Sequence, residues 1–453
     1  MSTRYLGGFI TKSPTAPTTS AAPGIWTLDQ ALTYIKAGTW PLPPVGFIGL
    51  LGTGAFGRSI TTESSGNIYV GGNSNIGSNN GLLAAYNSSG SLQWQKTFGD
   101  GASETFYSTA VDSSGNIYAC GYSNASGDVF YAIVKYDSSG TVQWQINYGS
   151  SGSYSLGSGI AVDTSGDVYF TGSSNPSGAS NIYTVKVNSS GTVQWQKRLS
   201  RPLLEAEKIA TDSSGNVYVC GRAPAAYSGG SNTLFLVKYN SSGVLQWQNY
   251  LAESSNNTRA YGVATDSSGN VYIAGSEGSN TSFLVVKYDT SGTIQWKRKL
   301  GAGGSGTQIA SAIAVDSSGN VYACGESDNS GTRDIQIVKY NTSGTIQWQR
   351  RLGASAATFG QGISVDNNGK IYVTGIYNST YVFIAKLPED GSSTGTYVVA
   401  GISFTYAAST LTDAVSSTVA AAGSLTDVTP SLSSSATGIG SATSTLTSSV
   451  TPI

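Results

Sequence analysis

A five-residue phrase, GNIYV from Gly66, returns six times along the 453-residue chain: GNIYA from Gly115, GDVYF from Gly166, GNVYV from Gly215, GNVYI from Gly269, GNVYA from Gly319 and GKIYV from Gly369. The steps are 49, 51, 49, 54, 50 and 50 residues. A second phrase, a tight turn followed by QW, places Trp94, Trp144, Trp195, Trp247, Trp296 and Trp348 at steps of 50, 51, 52, 49 and 52, and the seventh copy lacks it. Length alone allows two or three domains, but a repeat of this period overrides that prior.

Within one unit, AVD at Ala110, NIYACG at Asn116, YAIVKY at Tyr131 and TVQWQI at Thr141 are β-branched or aromatic runs bounded by turn residues. That makes four strands in about 50 residues, the size of a propeller blade; the coils of a β-helix or a leucine-rich horseshoe need about half that length. Only 11% of residues are charged, and Gly is abundant at 58 residues, as a turn-rich all-β chain requires. The expected fold is therefore all-β: a seven-bladed β-propeller of four-stranded antiparallel blades over residues 47–387. The incomplete seventh copy is explained if Phe47–Gly52, which sits before the first full unit as Trp94–Gly99 sits before the second, supplies its outer strand. Tyr397–Phe404 competes for that slot.

The pair of phrases DSSGN(I/V)Y and NSSGT(V/I)QW resembles the SBBP-type β-propeller repeats of bacteria and phages, over about residues 50–387. A related resemblance is to the tryptophan-docking blades of quinoprotein dehydrogenases, through Asp137, Gly140 and Trp144, with a spacing one residue shorter. Both resemblances imply a fold and leave function to the sites built on it.

Two segments flank the repeats. In residues 1–46, Thr27 and Gln30 form a capping box, Leu28, Ala31, Leu32 and Ile35 make an apolar stripe, and Gly38 stops it, so a short helix is expected over Thr27–Ala37. Pro41, Pro43 and Pro44 then extend the chain, and the segment reads as an attachment arm. After Pro388 the chain turns to Ser, Thr and Ala, yet Phe404, Leu411, Thr418, Leu425, Leu432, Ile439, Leu446 and Ile453 stand seven apart. Ala407, Ala414, Ala421, Val428 and Ala442 follow three later. This heptad tail, 388–453, is expected either as a helical coiled coil or as an extended segment held by a partner, and it points to a homo-oligomer, most simply a trimer. Gly423, Pro430 and Gly438 weigh against a long helix. YLGGFI at Tyr5, IWTLDQ at Ile25 and the Lys386–Tyr397 segment resemble the ends of tailed-phage structural proteins, cyanophage ones in particular. That resemblance implies a virion component that meets other virion proteins through residues 1–46 and 388–453.

Chemistry is constrained by what is missing. The chain has no histidine, the commonest general base and metal ligand near neutral pH. The turn carboxylates Asp112, Asp163, Asp212, Asp266, Asp316 and Asp366 read as Asx turns rather than catalysts or Ca²⁺ ligands. Cys120, Cys220 and Cys324 share one strand position in alternate blades and read as buried thiols, not as a metal site. No cofactor, metal or catalytic residue is expected. A net charge of -1 leaves no basic field for nucleic acid, and Met1–Ser20 has only short apolar stretches, so neither a signal peptide nor a membrane span is expected.

What varies between units is the loop set opposite the two tight turns. It carries Tyr107, Tyr122, Tyr154, Arg222, Tyr227, Arg259, Arg333 and Tyr377 among Asn and Ser, a mixture suited to glycan or protein surfaces. The expectation is a non-catalytic virion protein: a tail or head appendage, fibre or decoration protein made in the host cytoplasm, contacting a host-surface glycan or protein. The alternative is a bacterial propeller with carbohydrate-active hydrolase or lyase chemistry.

Overall fold

The fold was read from a computed structural model of the chain. The described residues run from 47 to 452, apart from 76–78, 100–102, 125–128, 150–154, 175–180, 201–203, 224–231, 253–256, 279–281, 302–305, 329–331, 393, 400–401, 410–412, 416–418, 423–425, 429–432, 437–440 and 444–447. The helix expected at Thr27–Ala37 lies outside them.

Seven antiparallel sheets follow one another around a central channel. Blade one is built, from channel to rim, from Ala55–Thr62, Ile68–Ser74, Asn80–Tyr86 and Leu92–Phe98. Blades two to six repeat this plan. In blade seven, Thr358–Val365, Ile371–Tyr377 and Tyr381–Leu387 are completed by Phe47–Thr53, which pairs with Tyr381–Leu387 from Phe47 opposite Lys386 to Thr53 opposite Tyr381. The ring is thus closed by chain from its other end. Tyr397–Phe404, the rival for that slot, lies elsewhere: Gly395–Val399 and Ile402–Ala408 form a hairpin on the outside of blade six.

Second strands such as Ile68–Ser74 and Val271–Glu277 are buried at every residue because blades lie against both their faces. Turn chemistry fastens these strands at one end. Asp112 Oδ1 accepts from the amides of Ser114 and Asn116, both at 2.9 Å, and Oδ2 accepts from the Tyr118 hydroxyl at 2.9 Å. Asp212, Asp266 and Asp316 repeat this set. Although burial pushes the Asp112 carboxyl up, bonds from Asn116, Tyr118 and Ser114 outweigh it and hold the group below its ordinary value.

The six tryptophans join blades. Each indole N–H donates to a carbonyl in the outer turn of the next blade: Trp94 to Ser138 at 2.9 Å, Trp144 to Ser189 at 3.0 Å, Trp195 to Ser241 at 3.0 Å, Trp247 to Thr290 at 3.2 Å, Trp296 to Thr342 at 3.1 Å and Trp348 to Glu389 at 2.9 Å. The glycine in that turn is required twice over. Gly140 has φ +79°, and a Cβ there would come within 2.9 Å of the Trp94 ring.

Past Ala408 the chain runs around the rim against the order of the blades. Short strands add a fifth member to each sheet in turn: Asp413–Val415 on blade five, Val419–Ala422 on four, Thr426–Val428 on three, Ser433–Ala436 on two, Ser441–Thr443 on one and Ser448–Pro452 on seven. With Ile402–Ala408 on blade six, the belt visits all seven. Its register is regular. Ala407 pairs with Arg351, Ala414 with Lys299, Ala421 with Tyr250, Val428 with Arg198, Ser435 with Asn147, Ala442 with Thr97 and Ser449 with Leu50, one residue in seven at each blade.

Of the two alternatives for the tail, this removes the coiled coil and leaves an extended segment, held by its own chain. Seven extended residues reach at most about 25 Å, enough to pair a few residues at one blade's edge and cross to the next. The heptad is the step between blades, and its strands find backbone partners within their own chain. The period therefore gives no reason of its own for a trimer. The belt also moves each sheet's open edge onto strands of three to five residues on six blades, too short to template pairing with another molecule.

Candidate functional site at the central channel

The innermost strand of every blade carries a bulge, where one residue is skipped in the ladder. The skipped residues are Arg58, Tyr107, Ser158, Glu207, Tyr261, Ser311 and Gln361, each five before the carboxylate that opens its blade's first turn. A bulge re-aims a side chain, and here the same device is used seven times around one axis. The surrounding frame is nearly the same in each blade, whereas this position ranges over a cation, an anion, an amide, two hydroxymethyl groups and two phenols.

A cavity of about 160 Å³ occupies the channel, walled by inner strands of all seven blades, with Arg58, Tyr261, Ser311 and Gln361 among its lining residues. Lys208, the residue after Glu207, also lines it and donates to the Tyr107 carbonyl at 2.7 Å and the Ser158 carbonyl at 3.0 Å. Burial pushes the Lys208 ammonium down from its ordinary value. Arg58 donates from Nε to Asn73 at 3.3 Å, and its guanidinium lies 5.0 Å over the Tyr107 ring.

Glu207 is the carboxylate of this ring. Burial, with Glu205 nearby, pushes it up to about 7, against the pull of Lys208, Arg222 and Arg259. The native carboxyl therefore keeps its proton to about pH 7, while the unfolded one loses it near its ordinary value of 4.5. Stability should fall as pH rises through that window, because the unfolded state there binds fewer protons. Glu207→Gln should melt like the parent at pH 4 and higher than the parent at pH 8. After allowance for solvent screening, the gain is about 1 kcal/mol, roughly 1–2 °C for a domain of this size. Equal melting at both pH values would remove the buried charge from the account.

The loop residues expected to bind partners are distributed unevenly. Tyr107 and Tyr122 stand together, rings 6.0 Å apart, with the Tyr122 hydroxyl 3.0 Å from Ser103 Oγ, so they join Arg58 beside the channel. Arg222 is bound by the Glu205 carboxylate, and the fields of Arg222 and Arg259 both act on Glu207. Arg333 is drawn to Glu326 at 3.3 Å and covers the Phe359 ring. Tyr377 is 5% exposed and packed by Phe404, with ring centroids 5.1 Å apart, so it serves the core. Tyr154 and Tyr227 lie outside the described residues.

Loop composition pointed to the neighbourhood of the channel but passed over Arg58, Glu207, Lys208 and Tyr261. The signal that finds Arg58, Glu207 and Tyr261 is positional, the fifth residue before each turn carboxylate, and Lys208 is the next residue along. Cys120, Cys220 and Cys324 are buried and unpaired, and burial pushes the Cys120 thiol up to about 12. Among the described residues no group of three metal-ligating side chains converges, and no helix is long and apolar enough to cross a membrane.

No curated protein matches the sequence. Among solved structures the chain is similar to the WD40 beta-propeller domain of Doa1, with a TM-score of 0.49 at 11% identity, covering 76% of this chain and 96% of that one. It is also similar to Sqt1 from Chaetomium thermophilum, with a TM-score of 0.43 at 11% identity, covering 73% and 95%. Residues 246–276, 295–331 and 347–375 match the SBBP beta-propeller repeat, each match opening in the outer strand of one blade and taking in the second strand of the next.

Proposed function

We propose that this chain is a non-catalytic structural and binding protein of a tailed-phage virion, an appendage or decoration protein that offers its channel and variable loops to a host-surface or protein partner. The observation that carries the binding role is the contrast between the two residue sets. The repeated Asp and Trp side chains are consumed by turns and by blade-to-blade bonds. The residues that differ between blades gather around one axis. Support for the virion setting comes from the resemblance of Tyr5–Ile10, Ile25–Gln30 and Lys386–Tyr397 to phage structural proteins.

Glu207, with its carboxyl near 7, favours the carbohydrate-active alternative. Against it, glycoside hydrolysis needs a second carboxylate roughly 5–10 Å away. The neighbouring Glu205 is already engaged by Arg222. The test has two arms. An antibody against the chain should label intact particles, and a panel of surface glycans incubated with the protein should be recovered at full length. Cleavage of any glycan that is lost in the Glu207→Gln variant, or absence of the chain from particles, would overturn the reading.

A further inference from the structure

We propose that the channel cavity is a binding site for a single acidic sugar, its carboxylate held by Arg58 and Lys208. This rests on the binding role proposed above and not on the virion setting. The cavity is polarised. Its charged lining residues are the two cations, and no carboxylate is among them. Arg58 comes from blade one, while Lys208 reaches from blade four toward the backbone of blades two and three, so positive charge gathers on that half of the ring. The other half, blades five to seven, contributes the neutral groups Tyr261, Ser311 and Gln361.

Each cation has capacity to spare. Arg58 uses Nε on Asn73, leaving its Nη edge without a hydrogen-bond partner among the described residues, and the stack on Tyr107 holds the guanidinium in place. That edge can meet a carboxylate in the paired geometry a guanidinium favours. The Lys208 ammonium spends two of its three N–H groups on carbonyls. An anion beside it would also relieve the cost of its burial. Two residues beyond the bulges, Ile60, Ile160, Ile209, Ile313 and Ile363 line the same cavity and offer an apolar surface to the C–H face of a ring. At about 160 Å³ the space suits one ring rather than a drug-sized ligand or a polymer segment. A carboxylate for one half, hydroxyls for the other and a C–H face for the isoleucines together describe a uronic-acid type of sugar.

The experiment is calorimetric titration of the full chain with glucuronate, glucose and inorganic phosphate. Glucuronate should bind, and glucose and phosphate should each bind at least tenfold more weakly, because one lacks the charge and the other lacks the hydroxyls. Arg58→Gln should weaken glucuronate at least tenfold while melting like the parent. Lys370→Gln, in the first turn of blade seven and outside the cavity lining, should leave binding unchanged. The discrimination by the unaltered chain stands independently of whether any variant folds. No binding of glucuronate, glucose or phosphate binding as tightly, or a folded Arg58→Gln variant with parental affinity would each overturn the proposal. A negative titration alongside labelled particles would remove the acidic-sugar site and leave the virion role standing.

Discussion

A chain starting at Gly54 should denature at far lower denaturant than one starting at Phe47. The strand Phe47–Thr53 lies between Tyr381–Leu387 and Ser448–Pro452, so its loss strips a partner from each. Leu51 is fully buried against Val382 and Ile384, and burying one such side chain is worth about 2 kcal/mol. Each lost backbone hydrogen bond adds about 1 kcal/mol. The sum is on the order of 5 kcal/mol or more, comparable with the whole stability of many domains at ~5–15 kcal/mol. Comparing two truncations that differ only in residues 47–53 isolates the strand from whatever precedes it. Coincident unfolding curves would mean that the ring is closed by some other segment.

The belt gives the second large effect. Deleting residues 416–422 removes one step of seven, so every later residue meets a blade at its old depth, one blade earlier. The belt then falls one strand short, on blade seven. Deleting only 416–418 moves all later residues three places out of register, and an odd shift also exchanges the two faces of every strand. Hydrogen exchange at outer strands reads the difference. Val142–Gly149 and Leu92–Phe98 should keep their protected amides in the seven-residue deletion and lose protection by an order of magnitude or more in the three-residue one. Identical exchange in the two deletions would show that belt register does not matter.

The ring was readable because each of its parts repeats with a local cause. The turn aspartate, the positive-φ glycine and the alternating strands are decided within a few residues of each other, and seven copies average out ambiguity at any one. Blade closure was readable from homology within the chain, by setting Phe47–Gly52 over Trp94–Gly99. The belt was half readable. Its seven-residue period is visible, but the same period serves a helix seam or an extended chain stepping along a scaffold, and nothing local to Phe404 or Leu425 says which surface lies opposite.

The site shows the complementary difficulty. Loop tyrosines and arginines were selected for their type, and type does not fix surroundings. Tyr377 is covered by Phe404, which arrives from the belt after a separate excursion of the chain. Arg58 and Glu207 sit in strands that read as ordinary blade members. What sets them apart is the bulge at which each stands, and a bulge is a matter of backbone pairing that side-chain pattern does not announce.

The belt's last strand sets how the ring would yield to force. Phe47 lies opposite Pro452 in an antiparallel pair, at the two extremes of the described chain. A load that draws these residues apart meets one backbone contact at a time, so the rim unzips at low tension. A load that pulls both together in one direction, with the body of the propeller held back, shears Phe47–Thr53 against Tyr381–Leu387 along its whole length and must break those bonds at once. The closing strand is therefore weak to peeling at its outer seam and strong to towing at its inner one, and the direction of attachment decides which of the two the protein experiences.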